Sequence, residues 1–155
     1  MNDQFSADHP LPDRRRWMAV LARASADRIA DLLQDCNGIP PYTIIRGPDC
    51  GLVMVRGRAG GGGSAFNLGE MTVTRCTVRT ETGFVGHAYV AGREERRAEL
   101  AALVDALMQD DDCAAAVESR VIAPLELHQA EQKAARAAKA ATTRVQFFAM
   151  QTMRT

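Results

Sequence analysis

The chain has 155 residues and carries 19 Lys plus Arg against 19 Asp plus Glu, so its formal net charge is zero. One domain of that length buries about two-thirds of its unfolded surface and two would be cramped, while the charge balance removes any overall pull toward nucleic acid or an anionic membrane. Four cysteines, Cys36, Cys50, Cys76 and Cys113, fall without CxxC or metal-ligand spacing, which fits reduced thiols better than a disulfide framework or a bound metal.

No apolar run reaches the length of a membrane span, and the first residues, MNDQFSADHP, are polar without a basic region leading into an apolar one. The expectation is a cytoplasmic protein folded as a single domain over residues 1–155, with a loose arm at 1–11. From Pro12-Asp13 the pattern turns helical. Trp17, Leu21 and Ala24 share one stripe, and Ile29, Leu32 and Leu33 continue it after Ser25. Ser25 is read as an N-cap that splits two helices, the alternative being a polar residue within one long helix. Arg14, Arg15 and Arg16 crowd a helix start, where the macrodipole disfavours cations. They are read first as a solvated end, with contact to an acidic surface elsewhere as the alternative.

Asn37-Gly38 closes the helical region and Pro40-Pro41 enforces an extended exit. Tyr42 to Arg46 and Leu52 to Arg58 read as two strands around a turn at Gly47-Pro48-Asp49-Cys50-Gly51, making a first hairpin. The run Gly60 to Gly63 lacks the Gly-Lys-Ser/Thr and strand-to-helix setting of a phosphate loop, so it is read as a flexible connection between hairpins. A second hairpin follows from Met71 to Thr80 and Phe84 to Val90, joined at Thr82-Gly83. Alternation puts Thr72, Thr74, Cys76 and Val78 on one face and Val73, Arg75, Thr77 and Arg79 on the other. Arg75 and Arg79 then stand roughly 13 Å apart, too far to grip one carboxylate but suited to a long polyanion or a partner's acidic edge.

After Gly92 comes a helix with Leu100, Leu103, Val104, Leu107 and Met108 as its apolar stripe. Arg93, Arg96 and Arg97 extend that stripe where a core helix would carry apolar residues. Two explanations stay open: the helix end projects beyond the core beside Glu94, Glu95 and Glu99, or the guanidiniums face a partner or phosphate group. Asp110-Asp111-Asp112 is read as the cap of a short helix, Cys113 to Ile122, and not as a magnesium site. Pro124 ends that helix or starts the next, Leu125 to Thr142, which is alanine-rich. Its Leu127, Ala130, Ala134, Ala137 and Ala141 make a small-residue face open to close packing, with Lys133, Arg136, Lys139 and Arg144 toward its end. Residues 144–155 alternate like a strand, and the adjacent Phe147 and Phe148 require cover on both faces, from a buried setting or another chain.

No catalytic constellation emerges. His9, His87 and His128 sit in no metal-binding pair or nucleophile motif. His87, aligned with Val85 and Tyr89, is read as a structural histidine hydrogen-bonded near an interface. No catalytic residue, metal ligand or bound cofactor is assigned to the chain alone.

In order, RRRWMAVLARA, CGLVMVRGR, GEMTVTRCTVR, GHAYVAGR, ALVDALMQ, VIAPL and RVQFFAM give the chain a resemblance to the PhnG family over nearly its whole length. Its uniform Gly60 to Gly63 run departs from the family pattern. The resemblance implies an accessory subunit of the bacterial carbon-phosphorus lyase core complex, with PhnH, PhnI and PhnJ and two copies of each, and no nucleic-acid or membrane partner. It implies a part in the step where a phosphonate such as methylphosphonate displaces adenine from ATP, giving ribose 1-methylphosphonate 5-triphosphate. Catalysis of that step is expected in PhnI; the iron-sulfur cluster and S-adenosylmethionine belong to PhnJ. A stand-alone nucleotide- or nucleic-acid-binding module is the alternative. The expected architecture is α+β, an antiparallel sheet of about four strands from two hairpins flanked by N- and C-terminal helices. Arg75, Arg79, His87, Arg93, Arg96, Arg97, Phe147 and Phe148 are the expected partner or anion contacts.

Overall fold

Ser25 caps the start of the second of two helices, as its side-chain chemistry predicts, the first having ended at Leu21. The computed structural model describes residues 11–59 and 62–143, so the arm lies outside the described residues except for Leu11, which opens α1 (Leu11–Leu21). In α2 (Ala26–Gln34) the Ser25 Oγ accepts from the Arg28 backbone N–H at 3.3 Å. Trp17, Leu21, Ala24, Ile29 and Leu33 are buried, so the predicted stripe survives the break.

Three strands, not about four, form the sheet: β1 (Tyr42–Gly57), β2 (Phe66–Thr80) and β3 (Val85–Ala91), antiparallel in the order β1-β2-β3. The first predicted hairpin is wrong. Gly47-Pro48-Asp49 bends the chain without reversing it, and pairing resumes beyond, Arg46 facing Thr77 and Asp49 facing Arg75. The long unbroken ladder offered by β2 satisfies backbone groups on both sides of this irregularity, so a bulge suffices where a turn was expected. The first reversal falls instead between Gly57 and Phe66, so the glycine run lies within one hairpin and does not connect two; of it, Gly62 and Gly63 belong to the described residues. The second hairpin is as predicted: Thr77 faces His87, and Gly83 takes a positive φ of 97° in the turn.

Helix α3 (Glu95–Leu107) lies across the inner sheet face and is buried on nearly every side from Ala98 onward. A one-sided stripe was expected. The extra burial arises because the sheet covers one side of α3 while α1, α2 and α4 (Asp111–Val117) pack on the other. Small residues permit this closeness: a Cβ on Gly86 would overlap the Ala102 carbonyl oxygen and come within 2.5 Å of the Ala106 N. Asp110 caps α4, accepting from the Asp112 N–H at 3.1 Å. The helical path continues through a π-helical turn, Glu118–Ile122, into α5 (Ala123–Thr142), with Pro124 in the first turn of α5.

The layers are fastened by Asp105, a fully buried carboxylate. Its Oδ1 accepts from Arg14 Nε at 3.1 Å and Trp17 Nε1 at 2.9 Å; its Oδ2 accepts from Arg14 Nη2 at 2.7 Å and the His87 backbone N–H at 2.8 Å. Arg16 bridges Glu118 and Glu126 at 2.7 and 2.8 Å, and these hydrogen bonds raise its pKa. Only Arg15 of the arginine run is exposed, so the solvated-end reading fails for its two neighbours.

Gly86→Ala should lower stability by at least about 2 kcal/mol, because the clash is with helix backbone. Asp105→Ala should cost about 3–5 kcal/mol by stranding buried donors and the Arg14 charge, whereas Arg15→Ala should stay within about 0.5 kcal/mol. Urea unfolding midpoints of the three variants check this ranking.

Candidate docking surface

Beyond the pair Val73–Ala91 the sheet loses its third strand. Leu52–Gly57 of β1 and residues 66–72 of β2 run on as a two-stranded ribbon. Cross-strand partners share a face, so Leu52 opposite Thr72 and Met54 opposite Glu70 continue the inner face that α3 covers further along. The register slips between Val55 and Arg56, so Phe66 faces Gly57 and Leu68 packs across Gly57 on the face opposite to Leu52 and Met54. Leu52 is 64% exposed, Leu68 61%, Met54 52% and Phe66 46%. A ribbon of two strands is marginal in water by itself, and large apolar side chains exposed on both of its faces mark an interaction surface. Sequence reasoning missed this feature because the misplaced turn made Leu52 to Arg58 the returning strand of a closed hairpin. The readable signal was the alternation of Leu52 with Met54 and of Phe66 with Leu68 on either side of the glycines.

The base of the ribbon is locked through Thr74. Its buried hydroxyl donates to the Gly92 carbonyl at 2.7 Å and accepts from the Glu94 N–H at 3.0 Å, holding the first turn of α3 at the point where the ribbon departs. Arg93, Arg96 and Arg97 cluster there, but they do not converge on one anion. Arg96 pairs with Asp27 at 2.9 Å and Arg97 donates to the Ala91 carbonyl at 2.5 Å. The Arg97 Nε is buried without an acceptor among the described residues, and Arg93 is exposed. Neither explanation foresaw these bonds: Arg96 pairs with Asp27 of α2 and not with Glu94, Glu95 or Glu99, and the terminal nitrogen of Arg97 reaches backbone.

The outer sheet face carries Arg75, Arg79, His87 and Tyr89, all exposed. The predicted alternation holds here. His87 Nδ1 lies 3.1 Å from the Thr77 hydroxyl across the strand pair, and its backbone N–H serves Asp105 on the sheet's far edge. Phe147 and Phe148 lie outside the described residues. On α5, Leu127 is 63% exposed and Ala134, Ala137 and Ala141 are uncovered, while Ala130, also exposed, lines the opening toward α1.

Among the described residues no three His, Cys, Asp or Glu side chains gather as a metal site, and no helix is long and apolar enough to cross a membrane. Burial pushes up the thiol pKa values of Cys36, Cys76 and Cys113, holding them protonated. Tyr42 joins β1 to α3 through a 2.7 Å hydrogen bond to Glu99, and burial followed by that bond raises its pKa to about 12.

Fold and surface thus define a layered α+β domain whose most conspicuous unburied feature is an apolar ribbon. The chain belongs to the family described as Phosphonate metabolism protein PhnG, whose profile matches residues 12–153. It is 45% identical over 153 residues to the alpha-D-ribose 1-methylphosphonate 5-triphosphate synthase subunit PhnG of Rhizobium meliloti (strain 1021), covering 94% of this chain and 92% of that protein.

Because the folded state retains the Tyr42 proton that the unfolded chain gives up near pH 10, this group's contribution to stability is complete below pH 10 and is lost as pH rises toward about 12. Urea midpoints measured at intervals from pH 8 to pH 12 should fall across that window, and Tyr42→Phe should remove this component of the slope.

Proposed function

We propose that this chain is an accessory subunit of the carbon-phosphorus lyase core complex, acting by docking and not by chemistry of its own. In this reading it assembles in the cytoplasm with PhnH, PhnI and PhnJ, two copies of each. It holds the assembly in the form that lets a phosphonate such as methylphosphonate displace adenine from ATP, giving ribose 1-methylphosphonate 5-triphosphate. ATP is the substrate of the complex; the iron-sulfur cluster and S-adenosylmethionine are assigned to a partner. The similarity to a protein named as a subunit of that synthase supports the pathway.

The observation that carries the docking role is the apolar ribbon formed by Leu52, Met54, Phe66 and Leu68. Burying such side chains yields roughly 1.5–3 kcal/mol each, which a partner surface collects and the isolated chain does not. Arg75, Arg79 and His87 on the outer face and Arg93 beside the ribbon's base are proposed as polar contacts around it. Arg96 and Arg97 contribute by holding that base.

Leu52→Asp combined with Leu68→Asp leaves the core untouched, since both side chains project from the ribbon. The variant should keep the wild-type circular dichroism spectrum and melting temperature but weaken assembly by about 100-fold or more, through burial of two unpaired carboxylates. Co-expression with the three partners, size-exclusion chromatography and adenine release from ATP with methylphosphonate provide the readouts. Wild-type chain that elutes alone, or adenine release that persists unchanged when it is omitted, overturns the proposal.

A further inference from the structure

Helices α1 and α5 touch where Gln129 Nε2 donates to the Val20 carbonyl at 2.9 Å, and then part. Between them opens a groove of about 730 Å³, and on the other side of Gln129 lies a smaller hollow of about 430 Å³. Arg16, Arg23, Lys133 and Arg136 line the first and Arg28 joins at the second; Glu126 is the single carboxylate lining either. That carboxylate is consumed by Arg16. Arg23, Arg28, Lys133 and Arg136 make no ion pair among the described residues. In a chain of zero net charge, three unpaired cations around one groove, with Arg28 at the hollow beside it, are a local excess that an anion would neutralise.

The floor decides which kind of anion. It is formed by Ala19, Val20 and Ala130, small and apolar, with the cations on exposed side chains around it. No free helix start opens onto the groove: α1 lines it with its last turns, and α5, which continues from the preceding helical turn, lines it from Glu126 to Arg136. A phosphate-sized ligand therefore finds flexible charges but no backbone donors. A polypeptide fits both parts. Its apolar side chains meet the floor, and its carboxylates reach Lys133 and Arg136, one helical turn apart at about 4.5 Å of rise, and Arg23 opposite.

We propose that the α1–α5 groove receives an acidic, amphipathic segment of a partner subunit, separately from the apolar ribbon. This rests on the reading of the chain as a subunit, and it adds a second contact with its own salt dependence. It also assigns a role to the lysine and arginine residues in the second half of α5, which helix-dipole chemistry alone does not require to face α1.

The test uses the co-expressed assembly with the triple charge reversal Arg23→Glu, Lys133→Glu and Arg136→Glu, all exposed residues outside the core. The expected result is a soluble, folded variant whose assembly is at least about tenfold weaker at low salt. Wild-type assembly should weaken as salt rises from 50 to 500 mM, and the variant's salt response should be flattened or inverted. If wild type assembles and the reversed chain assembles equally well with the same salt response, the groove proposal falls and the subunit reading stands. If wild type itself does not assemble, both fall. Titration of the isolated wild-type chain with inorganic tripolyphosphate supplies the remaining arm: tight binding at 150 mM salt that the reversal abolishes would replace the acidic segment with a small polyanion, and its absence supports the peptide.

Discussion

One buried carboxylate carries the arrangement of the layers. Asp105 sits on α3, and its two oxygens accept hydrogen bonds from the α1 side chains of Arg14 and Trp17 and from the backbone of β3 at His87. Three segments far apart in sequence are thereby held in one register around a single residue. A buried charge would be costly alone; here a bidentate guanidinium and two further donors answer it. The His87 N–H points out of the open side of β3, so the same interaction closes that sheet edge against the helix layer. Gly86, next to it, can then sit against α3 with no side chain between them.

What the sequence made legible was local. Ser25 and Asp110 cap helices because their side-chain oxygens answer free N–H groups within three residues, and such chemistry is complete in a short window. The Thr82-Gly83 reversal and the alternation along Thr72 to Val78 are likewise short-range. What failed was long-range. Gly47-Pro48-Asp49 has the same composition in a turn as in a bulge, and only the partner strand decides between them. Arg14 and Arg16 look solvated by the helix-dipole argument because the carboxylates that hold them lie 91 and 102 to 110 positions away. Helix α3 was read as one-sided since periodicity reports the first layer packed on a helix and not a second. The ribbon was hidden behind the misplaced turn, and the groove behind the unknown angle between two helices.

The surface follows from how the carboxylates are used. Asp105, Glu99, Glu118, Glu126 and Asp27 are all engaged in bonds within the chain, to Arg14, Tyr42, Arg16 and Arg96. Those five are drawn inward or into bridges, whereas Asp31, Asp35, Glu70, Glu81, Asp111 and Glu131 stay exposed, as do Arg75, Arg79, Arg93, Arg23, Lys133 and Arg136. Within this balanced chain the groove between α1 and α5 is locally basic, because the one carboxylate lining it is engaged by Arg16. Charge totals describe solubility and bulk attraction; the pairing pattern decides what a neighbouring chain meets.

Strand β1 has a further consequence for association. It is an edge strand of 16 residues, with a row of backbone donors and acceptors on its unpaired side. Edges of that length invite strand-by-strand growth from one molecule to the next. Here the ladder slips between Ile44 and Asp49 and again after Val55, and Pro48 has no N–H to offer. The longest regular piece is therefore Asp49–Val55, and an added strand could not extend through the break toward Tyr42. Irregularity at Gly47-Pro48 thus limits recruitment of a fourth strand to a short stretch at the root and middle of the ribbon, and guards the rest of the edge against open-ended polymerisation.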